Sequence, residues 1–291
     1  MKVAVLGPGA LGCLFAVKLR QSGTKVHLID HREDRARRLE KNGITVEMNG
    51  TAEVEHPTVA TSIPAGMDLV IVLTKAYSTG SLRLPPEVPV LTLQNGLGNV
   101  ESLCTLVGSA RVLAGATSEA ATLLEEGRVR HVASGKTVFG GWTSCDGEPA
   151  RAALAAAGFT VEITDAPGQT IWEKAAVSSG INPLTALLDV PNGLLLQMVE
   201  VRQLMRDLVV EAAKVASTEG YRFDHSLVEV AESMCMATAE NISSMLQDVR
   251  ASKRTEIEAI SGEILRRATL ASLPTPRTRV IYQLVRGLEN R

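Results

Sequence analysis

"MKVAVLGPGALGCLFAVKLRQSGTKVHLID", residues 1–30, decides the fold. Within it KVAVL (2–6) is a short apolar run of strand length. Residues 10–22 then carry Leu11, Leu14, Phe15 and Leu19 at helical spacing, and KVHLI (25–29) follows Gly23. Strand, helix and strand in this order make a βαβ unit, whose crossover leaves its two strands parallel. The turn into the helix reads GPGALG (7–12), a G-x-G-x-x-G pattern directly after a strand and opening a helix. Gly7 permits the tight turn, Gly9 lets the backbone approach a pyrophosphate, and Gly12 lets helix and strand pack closely. With Pro8, Ala10 and Leu11 they form a loop that leads into a helix N-terminus, whose unpaired N–H groups and partial positive charge suit an anion. Glycines also make plain turns; the full βαβ context favours the dinucleotide reading.

Asp30 ends the second strand, where an acid usually hydrogen-bonds a ribose 2′-hydroxyl and so points to NAD (NADH). Beside it stand His31 and Arg32, and a cation there accepts a 2′-phosphate, which points to NADP (NADPH). The two signals conflict unless the aspartate turns away to cap the next helix, at whose start Glu33 and Asp34 also lie, while Arg32 swings over the adenosine ribose, the arrangement that favours NADPH. Beyond Arg32, the rest of HREDRARRLEKN (31–42) reads as a solvated helix of mixed charge.

Working outward, a charged helix (33–41), a hairpin around Asn49-Gly50, DLVIVLT (68–74) and PVLTLQ (89–94) continue an α/β pattern and predict a mainly parallel sheet. Lys75 and Asn95 follow the last two runs directly. They fall at the carboxyl ends of parallel strands, the edge where open α/β sheets bind ligands, although exposed lysines and Asn-Gly turns are also common there. Residues 111–141 change character, with short β-rich runs split by EEG and SG, and predict antiparallel edge strands. After FTVEIT (159–164), the DAPGQ stretch punctuates the chain, and the pattern beyond is helical to Arg291. The expectation is an α/β N-terminal Rossmann-type dinucleotide-binding domain over 1–165 and an all-helical domain over 166–291. In the second, Thr255 and Glu258 spell a T-x-x-E capping box, and LPTPRT (273–278) sets prolines where a final helix starts.

Composition limits the functions available. The 291 residues, 45% hydrophobic and 21% charged, suffice for two ordinary cores. A net charge of −2 offers no broad basic field for nucleic acid or an anionic membrane, so a small molecule is the expected partner. Cys13, Cys104, Cys145 and Cys235 lie far apart, without a C-x-x-C pair or a histidine at ligand spacing; they read as buried thiols in a reducing compartment, with no metal site. The apolar start is broken by glycine and proline too early for a signal segment, and no run of about 18 apolar residues occurs. A cytoplasmic location is expected.

WEKAAVSSGINP (172–183) holds Lys174, Ser178 and Asn182 four residues apart. Each four-residue step turns a helix by about 400°, so these side chains drift only about 80° and share a face, while Ala175, Ala176, Val177 and Ile181 cover the rest. Periodicity alone equally allows a snorkelling lysine on a solvated stripe. Asn241 and Ser244, three apart, would be neighbours on another helix. Trp172 and Tyr77 read as packing residues, Asp189 and Asp248 as surface or capping residues, and His27, His56, His131 and His225 have no partner legible from sequence. Met245 and Leu246 suit either a core or an apolar face toward a second copy, so a homodimer stays open.

Taken together, GPGALG, TKAYS, QNGLG, GATSEAA, HVASG, WEKAAVSSGINPLTALLDVPNG and AENISSMLQDVRASKRTEIEAISG make the chain resemble the ketopantoate reductase (2-dehydropantoate 2-reductase) family over nearly its whole length. The resemblance implies a Rossmann domain followed by a helical domain like the C-terminal one of 6-phosphogluconate dehydrogenase, and NADPH-dependent reduction of ketopantoate to (R)-pantoate on the route to pantothenate and coenzyme A. It implies Lys174 as general acid; Asn95, Lys75, the Ala121 backbone and Glu256 on the cofactor side; and Asn182, Asn192, Asn241 and Ser244 on the substrate side. Ser178 stands where the family usually has asparagine, and shares the substrate wall by its place between Lys174 and Asn182. Asp30 and His31 replace the family's more usual neutral residue and arginine. Two other readings remain open from sequence: a reductase of another 2-keto acid, and a cofactor-binding sensor that has lost catalysis.

Overall fold

The computed structural model describes residues 1–290. The βαβ unit consists of β1 (Lys2–Leu6), α1 (Ala10–Gln21) and β2 (Lys25–Ile29), with β1 and β2 parallel and Lys2 opposite Lys25. After α2 (Glu33–Asn42), β3 (Ile44–Met48) and β4 (Thr51–Glu55) form the hairpin that Asn49 and Gly50 predict. Both turn residues have positive φ, 52° and 80°, the geometry of the tight turn whose twist matches that of paired strands. β5 (Thr58–Ala60), β6 (Leu69–Val72), β7 (Val90–Thr92), α3 (Asn99–Val107), β8 (Val112–Thr117), β9 (Ala120–Glu125), β10 (Arg128–Ala133), β11 (Lys136–Gly141), α4 (Glu148–Ala156) and β12 (Thr160–Ile163) follow.

Eight strands form one sheet in the order β12-β11-β8-β7-β6-β1-β2-β5. Its pairings are parallel except that of β8 with β11. A second sheet has the order β4-β3-β10-β9. Within residues 111–141 the expected antiparallel pairing forms, β8 with β11 and β9 with β10, but the strands are not all at a sheet edge. β8 lies inside the main sheet, parallel to β7 and buried along its length, while β9 and β10 leave for the second sheet. A strand's neighbour is chosen by tertiary packing, which a short apolar run does not encode. The core holds β1 and β6, with Phe15 of α1 stacked on Phe159 at 4.3 Å between ring centroids.

From Pro167 onward the regular elements among the described residues are helical: α5 (Pro167–Leu188), α6 (Leu194–Gln197), α7 (Val199–Thr218), α8 (Leu227–Ala237), α9 (Ser244–Arg250), a π-helical turn at Glu258–Gly262, α10 (Glu263–Leu270) and α11 (Pro276–Leu288). The chain packs into two compact units, one of Met1–Gln94 with Asn99–Thr170 and one of Asn95–Gly98 with Ile171 onward. In the second, Gly180 brings α5 close to α7: a Cβ there would lie 2.7 Å from Val209 Cγ2. Met245 and Leu246 are core residues, each 1% exposed. Pro276 opens α11, as its fixed φ and missing N–H allow.

The expected capping box at Thr255 and Glu258 does not form. Thr255 is held by Glu289, and Glu258 instead accepts the Tyr282 hydroxyl at 2.7 Å. Three residues after Thr255 the chain is entering a π turn, with the Gly262 amide donating to the Ile257 carbonyl at 2.9 Å, so the reach of an ordinary first α-turn is lost.

Candidate active site

In the first unit, the three glycines of the 7–12 loop do three different things. Gly7 has φ +98°, and a Cβ would lie 2.9 Å from the Thr74 backbone; Gly12 would thrust one to 1.9 Å from the Gly7 carbonyl oxygen. Gly9 faces open space, with nothing within 4 Å of a Cβ built there. Pro8 is buried, while Ala10 and Leu11 are half-buried at the start of α1. Gly9 is the N-cap, no side chain caps α1, and no acid lies in its first turn. This is an unblocked helix N-terminus with positive partial charge, and the open space in front of Gly9 fits a dinucleotide pyrophosphate.

Asp30 corrects the expectation of an open ribose acceptor. Its carboxylate is buried and already engaged: Oδ1 accepts the Arg32 amide at 3.1 Å and Arg35 Nη2 at 2.8 Å, and Oδ2 accepts Arg35 Nε. Arg35, read from sequence as part of a solvated helix, is half-buried against it. Arg32 is exposed and donates to Asp34 at 3.1 Å.

The strand ends carry the remaining groups of this unit. Lys75 follows β6, half-buried, and leads into a 3₁₀ turn at Ala76–Ser81. Gln94, which drew no attention in the sequence, ties the loops after β6 and β7 together: its Nε2 donates to the Thr74 carbonyl and to Thr79 Oγ1, both at 2.9 Å. Ala121 lies on β9 opposite His131, half-buried against the core. His131 does have a partner, the buried Glu119 carboxylate at 2.7 Å from Nε2. Tyr77 is exposed rather than packed.

In the second unit, Lys174, Ser178 and Asn182 are half-buried along α5, whereas Ala175, Ala176, Val177, Ser179, Gly180 and Ile181 are buried. The helix therefore turns its polar stripe away from its own core. Burial pulls the Lys174 ammonium down from its ordinary 10.5 to about 8, and the negative charge of Glu256 opposes that fall. Glu256 is itself buried, and its Oε2 accepts Asn95 Nδ2 at 3.3 Å. Asn95 is carried there by the QNGLG loop, in which the Leu97 amide donates to the Ala259 carbonyl at 2.7 Å. Gly96, with φ +80°, passes so close to Ala259 that a Cβ would lie 2.5 Å from its oxygen. Three residues distant in sequence thus converge, with a lysine that stays protonated at neutral pH but gives up its proton far more readily than an ordinary one.

Asn192 and Asn241 are joined through the backbone, the Asn192 amide donating to the Asn241 carbonyl at 3.0 Å. Asn192 is buried; its Nδ2 donates to Thr238 Oγ1 at 2.9 Å, and its Oδ1 accepts no hydrogen bond from any described residue. Asn241 and Ser244 do not share a helix face as expected. Asn241 lies in the loop before α9, and Ser244 is the first helical residue, exposed. The cap is Ser243, whose Oγ accepts the Leu246 amide at 3.1 Å and the Thr185 hydroxyl at 2.7 Å.

Residues 3–144 match the sequence family described as Ketopantoate reductase PanE/ApbA, and residues 168–289 its C-terminal counterpart. The chain belongs to the ketopantoate reductase family. A 2-dehydropantoate 2-reductase of Halobacterium salinarum is 38% identical, over 98% of each chain. A PanE/ApbA family ketopantoate reductase from Ralstonia eutropha, solved by crystallography, superposes with a TM-score of 0.90 at 30% identity, covering 100% of this chain and 99% of that one. D-mandelate dehydrogenase, solved in a ternary complex with NADH and anilino(oxo)acetate, gives a TM-score of 0.93 at 27% identity with the same coverage.

Membership makes this chain an oxidoreductase with a Rossmann-type fold, in a family that uses NADPH. Several other sequence readings change with the structure. Cys13 and Cys235 are buried, with burial pushing their thiols up to about 12 and about 11, but Cys104 and Cys145 are only half-buried. Asp248 is buried, whereas Asp189 is exposed and pairs with Arg250 at 2.7 Å. His225 lies 3.4 Å from Glu173 and 2.9 Å from Asp224. Among the described residues no helix is long and apolar enough to cross a membrane.

Proposed function

We propose that this chain reduces 2-dehydropantoate to (R)-pantoate with NADPH, as a cytoplasmic enzyme whose partner is a small 2-keto acid and which needs neither nucleic acid nor membrane. The observation that carries the reading is Lys174: a half-buried ammonium on the polar face of α5, drawn down to about 8 and kept from falling further by Glu256, in a chain of this family. Hydride delivered to a ketone carbon leaves negative charge on its oxygen, and a positioned donor of matched pKa removes that charge in the transition state. A bound nicotinamide would supply the hydride. Lys174 supplies the proton from Nζ to the carbonyl oxygen and recovers one from solvent after the alcohol leaves.

Ser178 and Asn182, on the same face, hold the substrate's hydroxyl and carboxylate oxygens, which makes the transfer effectively unimolecular. The unfilled Oδ1 of Asn192 supports a role as acceptor from a substrate hydroxyl. Asn241 and Ser244 complete the substrate side from the loop and first turn of α9. Within the second unit Glu256 and Asn95 serve the cofactor, and within the first Lys75 and the Ala121 backbone do so. The 7–12 loop takes the pyrophosphate, and Arg32 meets the 2′-phosphate.

A second reading is favoured by Ser178 and by the likeness to D-mandelate dehydrogenase: reduction of another 2-keto acid in a pocket that a hydroxyl leaves roomier than an amide would. One experiment ranks the two. NADPH oxidation is followed after adding ketopantoate, the 2-keto acid of mandelate, or other branched 2-keto acids. Fastest kcat/KM on ketopantoate supports the first reading, fastest on another acid supports the second, and turnover of none overturns both and leaves a cofactor-binding sensor.

A further inference from the structure

The end of β2 holds a contradiction that the structure resolves in an unexpected place. A free carboxylate there would accept hydrogen bonds from both ribose hydroxyls and repel a 2′-phosphate. The Asp30 carboxylate is not free: its side chain is 0% exposed, and Arg35 spans both of its oxygens, with Nη2 2.8 Å from Oδ1 and Nε on Oδ2. The Arg32 amide takes a further lone pair of Oδ1 at 3.1 Å. The Asp30 amide is spent on the Ala60 carbonyl of β5 at 2.9 Å, so the backbone at this strand end is fixed as well. The bidentate pair cancels one charge with one charge, with the carboxylate itself shielded from water. What the strand end then shows to solvent is His31, with its side chain 87% exposed and its Nδ1 3.8 Å from Asp30 Oδ1, and Arg32, 53% exposed and paired with the similarly exposed Asp34.

We infer that Arg35 is the residue that decides cofactor choice: by holding Asp30 in a two-point ion pair it removes the acid that would favour an unphosphorylated ribose, and leaves the exposed Arg32 guanidinium, with His31 beside it, to meet a 2′-phosphate. The inference rests on the reading of loop 7–12 as a dinucleotide site. It assigns to Arg35 no contact with the cofactor; the residue acts through Asp30. Arg32 and His31 attract the phosphate only because the acid behind them is already neutralised. Two guanidinium hydrogen bonds are needed to occupy both carboxylate oxygens, which a lysine cannot reproduce.

The test compares dissociation constants for NADPH and NADH, read from nicotinamide fluorescence, and for 2′-AMP and 5′-AMP, read by calorimetry, in the wild type and in Arg35→Met, Arg35→Lys and the double variant Asp30→Asn/Arg35→Met. Arg35→Met should weaken NADPH relative to NADH by about tenfold, the scale of one uncompensated charge facing the phosphate. Arg35→Lys should fall between, and the double variant should return the ratio to within about threefold of wild type. The 2′-AMP and 5′-AMP pair should move in the same sense. A ratio unchanged in Arg35→Met, or a double variant no better than the single one, overturns the inference. The ratio guards against misfolding, because loss of folded protein weakens both ligands alike. Wild-type protein that binds neither dinucleotide overturns the dinucleotide reading and the inference with it, whereas a wild type that binds both with a ratio indifferent to Arg35 overturns the inference alone.

Discussion

One carboxylate oxygen of Glu289 accepts both the amide and the hydroxyl of Thr255, each at 2.7 Å. The Thr255 hydroxyl then accepts the Ile257 amide at 3.2 Å, so the residues on both sides of Glu256 are fixed from just beyond α11. Glu289→Ala leaves buried donors unpaired and should cost about 1–3 kcal/mol of stability, with a fall in kcat/KM as Glu256 loosens. Glu289→Gln, which keeps an acceptor oxygen, should recover most of both. Thermal unfolding and steady-state kinetics check this; an unmoved melting temperature and unmoved kinetics in Glu289→Ala would show that the clamp is idle.

Lys174→Ala should lower turnover by at least about 10²-fold, the lower range for a positioned general acid, while NADPH binding stays within a few-fold of wild type. Turnover and fluorescence binding on the same preparation separate the two. A folded variant with near-normal turnover would remove Lys174 from the chemistry, and a loss confined to cofactor affinity would move it to the other ligand.

The same lysine sets a pH profile. The reducing reaction consumes the protonated form, so kcat/KM should be flat below about pH 8 and fall above it as Lys174 loses its proton. Glu256 supports the charged form, and its removal should lower the Lys174 pKa further. The alkaline limb in Glu256→Gln should therefore begin at lower pH than in wild type. A limb in the same place, or shifted upward, contradicts the electrostatic link between the two residues.

Gly9 and Gly12 should fail differently. Gly9→Ala adds a methyl group to open space at an extended N-cap, so the protein should unfold within about 1 kcal/mol of wild type while dinucleotide affinity collapses. Gly12→Ala drives a methyl group into the Gly7 carbonyl, and should lose about 1–3 kcal/mol or more of stability. Equal loss of stability in the two variants would deny Gly9 its ligand-facing role.

Ser178→Asn should fold normally and alter the KM for 2-keto acids more than affinity for NADPH, because residue 178 lies on the half-buried stripe between Lys174 and Asn182. A hydroxyl shorter than an amide acts through water or leaves space for a different acid. The informative readout is the ranking of keto acids before and after the change. Identical kinetics for every acid tried, with only stability altered, would place Ser178 outside the substrate wall.

What the sequence determined by itself was local. Residues 2–29 announced strand, turn, helix and strand through periodicity and glycine placement, Asn49-Gly50 named its hairpin, and the four-residue spacing of Lys174, Ser178 and Asn182 put them on one face, because each of these rests on backbone geometry within a few residues. What only the tertiary structure decided was pairing. Asn95 and Glu256, 161 residues apart, and Thr255 and Glu289, 34 apart, meet through the packing of whole elements, for which no local period exists. Even Asp30 and Arg35, five apart, were hidden, since they span the corner between a strand and a helix where neither period applies. The choice of Ser243 over Ser244 as cap, and of a separate sheet for β9 and β10, likewise turned on partners elsewhere in the chain. Hydrophobic patterning tells each residue which way to face; the atom it meets there is set by what the rest of the chain brings to that place.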